Sequence, residues 1–285
     1  MTGLKPPFPY FGGKQRIAEQ IVARFPKHDH YVEPYCGGLS VLLAKAPSKF
    51  ETVNDLDGDV MTFWRVLRDQ PEDLERLCAL TPHSREESLL ARDRRELTDL
   101  ERARRVWVAL TQRRGGQLQA TGWRYNIDPS TASTLSVAKY LNAYVSRIAP
   151  AADRLRTVAL ESRPALEIID AYGGFEDVLI YVDPPYLGAT RGSSNPYRHE
   201  MKTAALHTEL LEALRTVRAN VVLSGYPSDL YDRALAGWWR EEIGASTGQS
   251  NGRFDSARTE VLWANYDLTM HSDAALDFGD WDVTA

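Results

Sequence analysis

The residues that invite a chemical reading stand at 183–186, where the apolar run DVLIYV ends in Asp183, Pro184, Pro185 and Tyr186. Proline has no N–H to give a ladder, so the strand must stop at Asp183 and the chain leaves with a nearly fixed backbone. A carboxylate, a held carbonyl and an aromatic ring then sit together. That set suits an exocyclic aromatic amine, a poor nucleophile because its lone pair is delocalised into the ring. Asp183 accepts one amine hydrogen and the Pro184 carbonyl the other, while Tyr186 offers the heterocycle a stacking surface. The amine nitrogen is thereby pyramidalised and aimed at an electrophile, by positioning and electrostatics rather than covalent catalysis. A base flipped out of a duplex is a substrate of this kind. A rigid turn with the tyrosine packed on its rim would use the same residues. Position favours the chemical reading, since ligands bind at the carboxyl ends of strands in open α/β sheets.

A second cluster is EPYCGG, 33–38. A glycine turn between strand and helix lets backbone amides approach a ligand closely. Glu33 and Pro34 end the strand, Tyr35 follows, and Gly37 and Gly38 make the turn. Asp55 ends the next strand about twenty residues on, the placement of a carboxylate that binds two ribose hydroxyls. GxGxxG is absent, and an acid at Glu33 would repel a pyrophosphate. A ligand with a ribose and a positive charge but no phosphate fits, and S-adenosylmethionine is such a molecule. A third cluster, PYFGGK, brackets Gly12 and Gly13 with Tyr10, Phe11 and Lys14. It either caps the first helix or sets an aromatic and a cation beside the same ligand, with Lys14 on its carboxylate.

The elements that must position these residues alternate. Helical spacing runs over 14–25, then come a strand at 30–34, a helix at 39–45, a strand at 50–54 and a helix at 59–69. The alternation breaks from about 71 to 150, where the pattern is helical or irregular. It resumes with a strand at 157–162, a helix at 163–172, strands at 177–182 and 220–225, helices at 203–218 and near 227–235, and a strand at 257–266. The expectation is one discontinuous α/β, Rossmann-like domain from 1–70 and 151–270, with a mainly helical insertion at 71–150. The acidic stretch 271–285 reads as a mobile tail.

Bulk properties set outer limits. The 285 residues are 43% hydrophobic and 26% charged, ordinary values for a soluble chain. A net charge of −5 gives no general nucleic-acid signal, so such binding needs a local patch. Two cysteines and six histidines form no disulfide framework and no short metal-ligand pattern, so no metal is expected. No long apolar run marks a signal peptide or membrane span, and a cytoplasmic setting, in a bacterium or a phage-infected host, is expected.

Taken in order, YFGGK, VEPYCGGLSV, ETVND and VDPPY resemble the DNA adenine methyltransferase (Dam) family, its phage-borne branch most of all, over roughly 8–266. The family runs GGK, EPF-x-G-x-G-S-V, an acid after the second strand, a recognition insertion and DPPY. The resemblance implies a Rossmann-like methyltransferase sheet and S-adenosylmethionine as donor, with Tyr10, Lys14, Asp55 and Asp183 as cofactor contacts. It makes Asp183, Pro184 and Tyr186 the amine site. Leu39 stands where the family has glycine, Tyr10 where it has tryptophan, and Tyr35 where it has phenylalanine.

Within the insertion, residues 102–124 hold six arginines and no acid. Arg102, Arg104 and Arg105 suit either a solvated helix face paired with glutamates or a phosphate contact. QRRGGQLQATGWRYN mixes the side chains that read base edges and stack on them. Arg113 and Arg114 are expected at DNA, with Gln117, Gln119 and Arg124 beside them, and Trp123 or Tyr125 to fill the gap a flipped base leaves. After DPPY, the polar stretch LGATRGSSNPYRHEM reads as a closing loop with Arg191 and Tyr197 as contacts.

The expected activity is methyl transfer from S-adenosylmethionine to the N6 amine of adenine in double-stranded DNA. No obligatory protein partner is expected, though a restriction endonuclease of the same system would accompany such an enzyme without touching it. A methyltransferase for cytosine N4, RNA adenine or a protein glutamine, or a silent DNA-binding regulator on the same fold, stays open on the residues alone. A nicotinamide dehydrogenase is disfavoured by the missing GxGxxG.

Overall fold

A computed structural model describes residues 3–119, 121–125, 136–186, 201, 203–244 and 259–269. Tyr197, Arg191, most of the expected closing loop and the acidic tail lie outside the described residues. The described chain contains a seven-stranded sheet in the order β3-β2-β1-β4-β5-β7-β6. Its strands are β1 (His30–Glu33), β2 (Phe50–Asn54), β3 (Ala159–Glu161), β4 (Val178–Val182), β5 (Asn220–Gly225), β6 (Trp239–Gly244) and β7 (Thr259–Ala264). The first five are parallel, and β7 pairs antiparallel with both β5 and β6. The strand order reverses between β1 and β4, and a ligand crevice belongs at that point, beyond the carboxyl ends of the two strands. This is the doubly wound, Rossmann-like methyltransferase architecture expected.

Both faces of the sheet are covered, which is why β4 reads as an unbroken apolar run and β5 as VVL at its centre. Alternation sends Tyr31, Leu179, Tyr181, Val222 and Leu262 to one core and Val32, Ile180, Val182, Val221 and Leu223 to the other. The second core is closed by α9 (Ala165–Gly173), α10 (Ala204–Thr216) and α11 (Asp229–Ala234). The first is closed by α1 (Ala18–Val22), α2 (Ser40–Ala44) and α3 (Gly58–Asp69). α1 is shorter than the expected 14–25 because it tightens into i→i+3 turns at Arg24 and Phe25 before Pro26.

The insertion supplies α4 (Pro71–Leu80), α5 (Arg85–Leu90), α6 (Asp99–Gln112) and α7 (Val137–Val145), followed by α8 (Ile148–Leu155). α6 lies along α3, and Val106, Trp107, Leu110, Leu141 and Ile148 join the same hydrophobic core as the sheet face. The expected boundary at 150/151 falls inside α8, whose Ile148, Ala151, Ala152 and Leu155 are all buried in that core. Asp59 in the first turn of α3 clamps the junction, accepting from Arg94 at 2.8 Å and Arg102 at 2.6 Å.

Strand β6 was not expected. Its burial alternates poorly and WREEIG carries three charged residues, because an outer antiparallel strand leaves most side chains in water.

Candidate active site

A cavity of about 380 Å³ opens at the carboxyl ends of β1, β2 and β4. Every residue expected to contact a cofactor lines it. Tyr10, Gly12, Gly13 and Lys14 come from the segment before α1, and Glu33, Pro34, Tyr35, Gly37 and Gly38 from the turn after β1. Asp55 follows β2 and Asp183 follows β4. Pro164, Leu166 and Leu206, from the starts of α9 and α10, give the cavity an apolar wall that the sequence reading did not name.

The glycine turn is built to admit Tyr10. A Cβ on Gly37 would stand 2.5 Å from the Tyr10 ring, and one on Gly38 2.8 Å from its Cβ, so neither position has room for a side chain. The turn is pinned by the Asp55 carboxylate, which accepts from the Gly37 amide at 2.9 Å and the Asp57 amide at 2.8 Å. Each oxygen takes one amide and keeps lone-pair capacity toward the cavity. Burial pushes the Asp55 carboxyl up to about 6, with the two amides holding it down. Trp64 donates to the Gly37 carbonyl at 2.8 Å from behind. Asn54 ties the Pro34 and Arg163 carbonyls together at 2.9 and 3.0 Å.

Leu39, which replaces the family's glycine, takes φ +53°, the left-handed conformation a glycine would adopt freely. Leu39 is completely buried, so its packing offsets the strain.

Glu33 departs from the expected picture of a fixed negative charge. Its side chain is buried, with the Tyr31 hydroxyl donating to it at 2.9 Å. Burial pushes its pKa up to about 8, the Tyr31 bond pulls it down, and Asp183 pushes it up again. A cation in the cavity would favour its ionised form.

At the end of β4, Asp183 and Pro185 reach the cavity and Pro184 is buried between them. Lys14 donates to Asp183 Oδ1 at 2.6 Å, to the Gly12 carbonyl at 3.2 Å, and to the Tyr186 hydroxyl. Burial works against the Lys14 ammonium, but Asp183 and Glu260 outweigh it and hold its pKa above the ordinary value. Burial likewise pushes the Asp183 carboxyl up to about 6, with Lys14 pulling it down and Glu260 pushing it up. Tyr186 is not among the cavity-lining residues. Its ring packs at 4.3 Å on Tyr226 with a 44° tilt, and its hydroxyl donates to Glu260 at 3.0 Å. Sequence reasoning missed Glu260, Ser224 and Tyr226. An acid inside the apolar strand TEVLWA was the available signal, because a buried carboxylate needs partners.

The insertion loop meets this site through backbone. The Phe11 amide donates to the Gly116 carbonyl at 2.9 Å, and Gly116, at φ +60°, lies against Pro9. The expected DNA contacts divide. Arg113 is a correction: it is completely buried, its guanidinium bonded to Ser88, and burial pushes its pKa down to about 10 with help from Arg94 and Arg92. Its place at the end of the buried face of α6 turns it inward. Arg114, next along, is exposed, while Gln117 and Gln119 are half-buried. Arg124 lies 4.7 Å over the Tyr140 ring. Trp123 stacks between His83 at 4.6 Å and Tyr125 at 5.3 Å, with Arg85 over both Trp123 and Tyr125. Arg102 pairs with Asp59, Arg104 with Glu101 and Glu87, and Arg105 with Glu101. The six arginines therefore present far less free positive charge than their number suggests.

Residues 10–117 match the D12 class N6 adenine-specific DNA methyltransferase family. Over that segment the chain is similar to that family. It is an adenine-specific DNA methyltransferase, and the matched segment runs from Tyr10 through the glycine turn and Asp55 to the insertion loop. A relative in Lactococcus lactis subsp. cremoris, the Type II methyltransferase M1.LlaDCHI, is 26% identical over 291 residues, covering 92% of this chain and 96% of that protein. A precorrin 8w decarboxylase of Methanobacterium thermoautotrophicum superposes with a TM-score of 0.38 at 11% identity, covering 92% of this chain and 97% of that one. A score that low bears on nothing further. Among the described residues of the methyltransferase, no helix is long and apolar enough to cross a membrane.

Proposed function

We propose that this methyltransferase uses S-adenosylmethionine as donor and acts on an adenine flipped out of duplex DNA, with its target chosen by the helical insertion. The observation that carries the reading is one cavity shared by the Asp55-pinned glycine turn and the Asp183–Lys14 pair. The residues fit the donor. Asp55 is held by two amides and can still accept ribose hydroxyls, the cavity the turn lines gives an adenosine room, and Glu33 and Asp183 favour a cation. When bound, the donor supplies an electrophilic methyl group on a positively charged sulfur.

The chain's own residues then deliver the amine. Asp183 accepts one amine hydrogen in place of part of its contact with Lys14, and the Pro184 carbonyl accepts the other. Tyr186, hydroxyl-bound to Lys14 and Glu260, supports the base at its edge or face. Lys14 holds Asp183 ionised until the amine arrives, or contacts the donor's carboxylate once it is bound. Arg114, Gln117, Gln119 and Arg124 are the insertion's candidates for DNA, joined by the Trp123–Tyr125 stack. The Type II relative supports a role in a restriction–modification system.

Incubation with duplex DNA and methyl-labelled S-adenosylmethionine, followed by mass spectrometry of the digested nucleosides, tests the reading. Label in N6-methyladenine supports it. Label in N4-methylcytosine, or in RNA only, sinks it.

A further inference from the structure

Glu260 lies in the strand beside β5, behind the amine site, and no step above assigns it more than an acceptor. Its side chain is buried at 5% exposure. A single oxygen, Oε1, accepts from the Ser224 hydroxyl at 2.6 Å and the Tyr186 hydroxyl at 3.0 Å, and stands 3.5 Å from Lys14 Nζ. A carboxylate kept from water on an otherwise apolar strand is costly unless its partners are strong. Here two of the three partners belong to the segments that form the amine site.

We propose that Glu260 is a positioning residue for methyl transfer: it fixes the Tyr186 hydroxyl and shares the Lys14 ammonium with Asp183, which leaves the Asp183 carboxylate available to the substrate amine. This rests on the reaction proposed above. The geometry explains why sharing matters. Lys14 reaches Asp183 through one oxygen at 2.6 Å and Glu260 at 3.5 Å, so two carboxylates face one cation. With Glu260 neutral, Lys14 would bind Asp183 alone and more tightly, and the amine would compete for an acceptor already taken. Tyr186 would keep an acceptor, but an uncharged and therefore weaker one. The groups that act electrostatically on Asp183 are Lys14, Glu260, Tyr186, Glu33, Tyr181 and Tyr231. Of these, Glu260 is the acid nearest to Lys14 after Asp183 itself.

The test compares Glu260→Gln and Glu260→Asp with the parent enzyme on duplex DNA and S-adenosylmethionine. Glu260→Gln is isosteric and still accepts from both hydroxyls, but carries no charge. It is expected to lower kcat about tenfold while the KM for the donor stays within about twofold. The acid limb of the kcat profile should move to lower pH, because a negative neighbour of Asp183 has gone. Glu260→Asp keeps the charge and should return the limb to its original place. A kcat within twofold of the parent, or an unmoved limb, overturns the inference. If Glu260→Gln does not fold, Tyr186→Phe keeps the ring and deletes only the hydroxyl that Glu260 holds, and an unchanged kcat there overturns it equally. An NMR titration of the Asp183 carboxyl reads the same coupling without turnover. A lower midpoint in Glu260→Gln supports the inference even should the parent methylate no adenine, and an unmoved midpoint overturns it.

Discussion

Lys14 donates to Asp183 across 2.6 Å and so joins the glycine segment before the first helix to the end of the fourth strand, 169 residues away in sequence. The bond connects the glycine-turn side of the cavity, proposed for the donor, with the end of β4, proposed for the amine. It also decides the charge state of the residue on which the chemistry turns.

The first expectation concerns that charge. Asp183 must be ionised to accept an amine hydrogen, and burial lifts its carboxyl up to about 6 against the pull of Lys14. Turnover should therefore fall as pH drops below about 6, roughly tenfold per unit once the carboxyl is mostly protonated. Asp183→Ala should lower kcat by about a thousandfold or more at any pH while DNA affinity changes little. Steady-state rates from pH 5 to 9, with a DNA-binding titration of the variant, check both parts. Methylation by the variant within a few-fold of the parent would remove Asp183 from the mechanism.

Glu33 offers a stability prediction of the opposite sign from most acids. Its folded pKa is raised to about 8, above an unfolded value of about 4.3. Between those values the folded chain keeps a proton that the unfolded chain has lost, so stability falls as pH rises through about 4.3 to 8. Glu33→Gln removes the ionisation and keeps an oxygen for the Tyr31 hydroxyl. The variant should be more stable than the parent at pH 9, on the order of 5 kcal/mol, and about equal to it at pH 4. Chemical denaturation at the two pH values measures it, and equal differences at both would refute the assignment.

Leu39 sets two effects against each other. Its left-handed backbone costs about 1–2 kcal/mol, which Leu39→Gly would relieve. Its buried side chain contributes roughly 3–5 kcal/mol, which the same change would lose. Packing should win, leaving Leu39→Gly destabilised by about 1–4 kcal/mol. A variant more stable than the parent in urea would show that the turn, rather than the core, governs this position.

Arg113 and Arg114 are adjacent but should behave as different kinds of residue. Arg114→Ala removes an exposed cation from the insertion loop and should weaken DNA binding at low salt, reducing the slope of log affinity against log salt by about one. Arg113→Ala removes a completely buried guanidinium and leaves Ser88 without its partner. Its thermal midpoint should fall by several degrees while the salt slope stays the same. A salt slope that changes for Arg113 and not for Arg114 would reverse the assignment.

Much of the scaffold was legible because burial on both faces turns parallel strands into plain apolar runs. β2 and β5 lie where FETVN and NVVLSG said they would, and the acids at the ends of β1, β2 and β4 mark the cavity. The glycine turn was legible for a related reason, since only glycine fits where Tyr10 closes on Gly37. β6 was not, because a strand at the sheet's edge carries charges that look like loop. Composition of 102–124 suggested a cationic patch, yet a charge count takes no account of Asp59 and Glu87 on other helices and Glu101 one residue upstream, which neutralise three of its arginines.

The sequence by itself determined which residue types end each strand, and with them the class of ligand and the kind of reaction, because those properties are local to short motifs. Only the tertiary structure decided that Lys14, Asp183, Tyr186 and Glu260 form one buried network, and that Arg113 turns inward while Arg114 faces water. The reason is physical. Side-chain identity sets what a group can accept or donate, whereas its partners, its burial and hence its charge depend on segments brought together by the folded sheet.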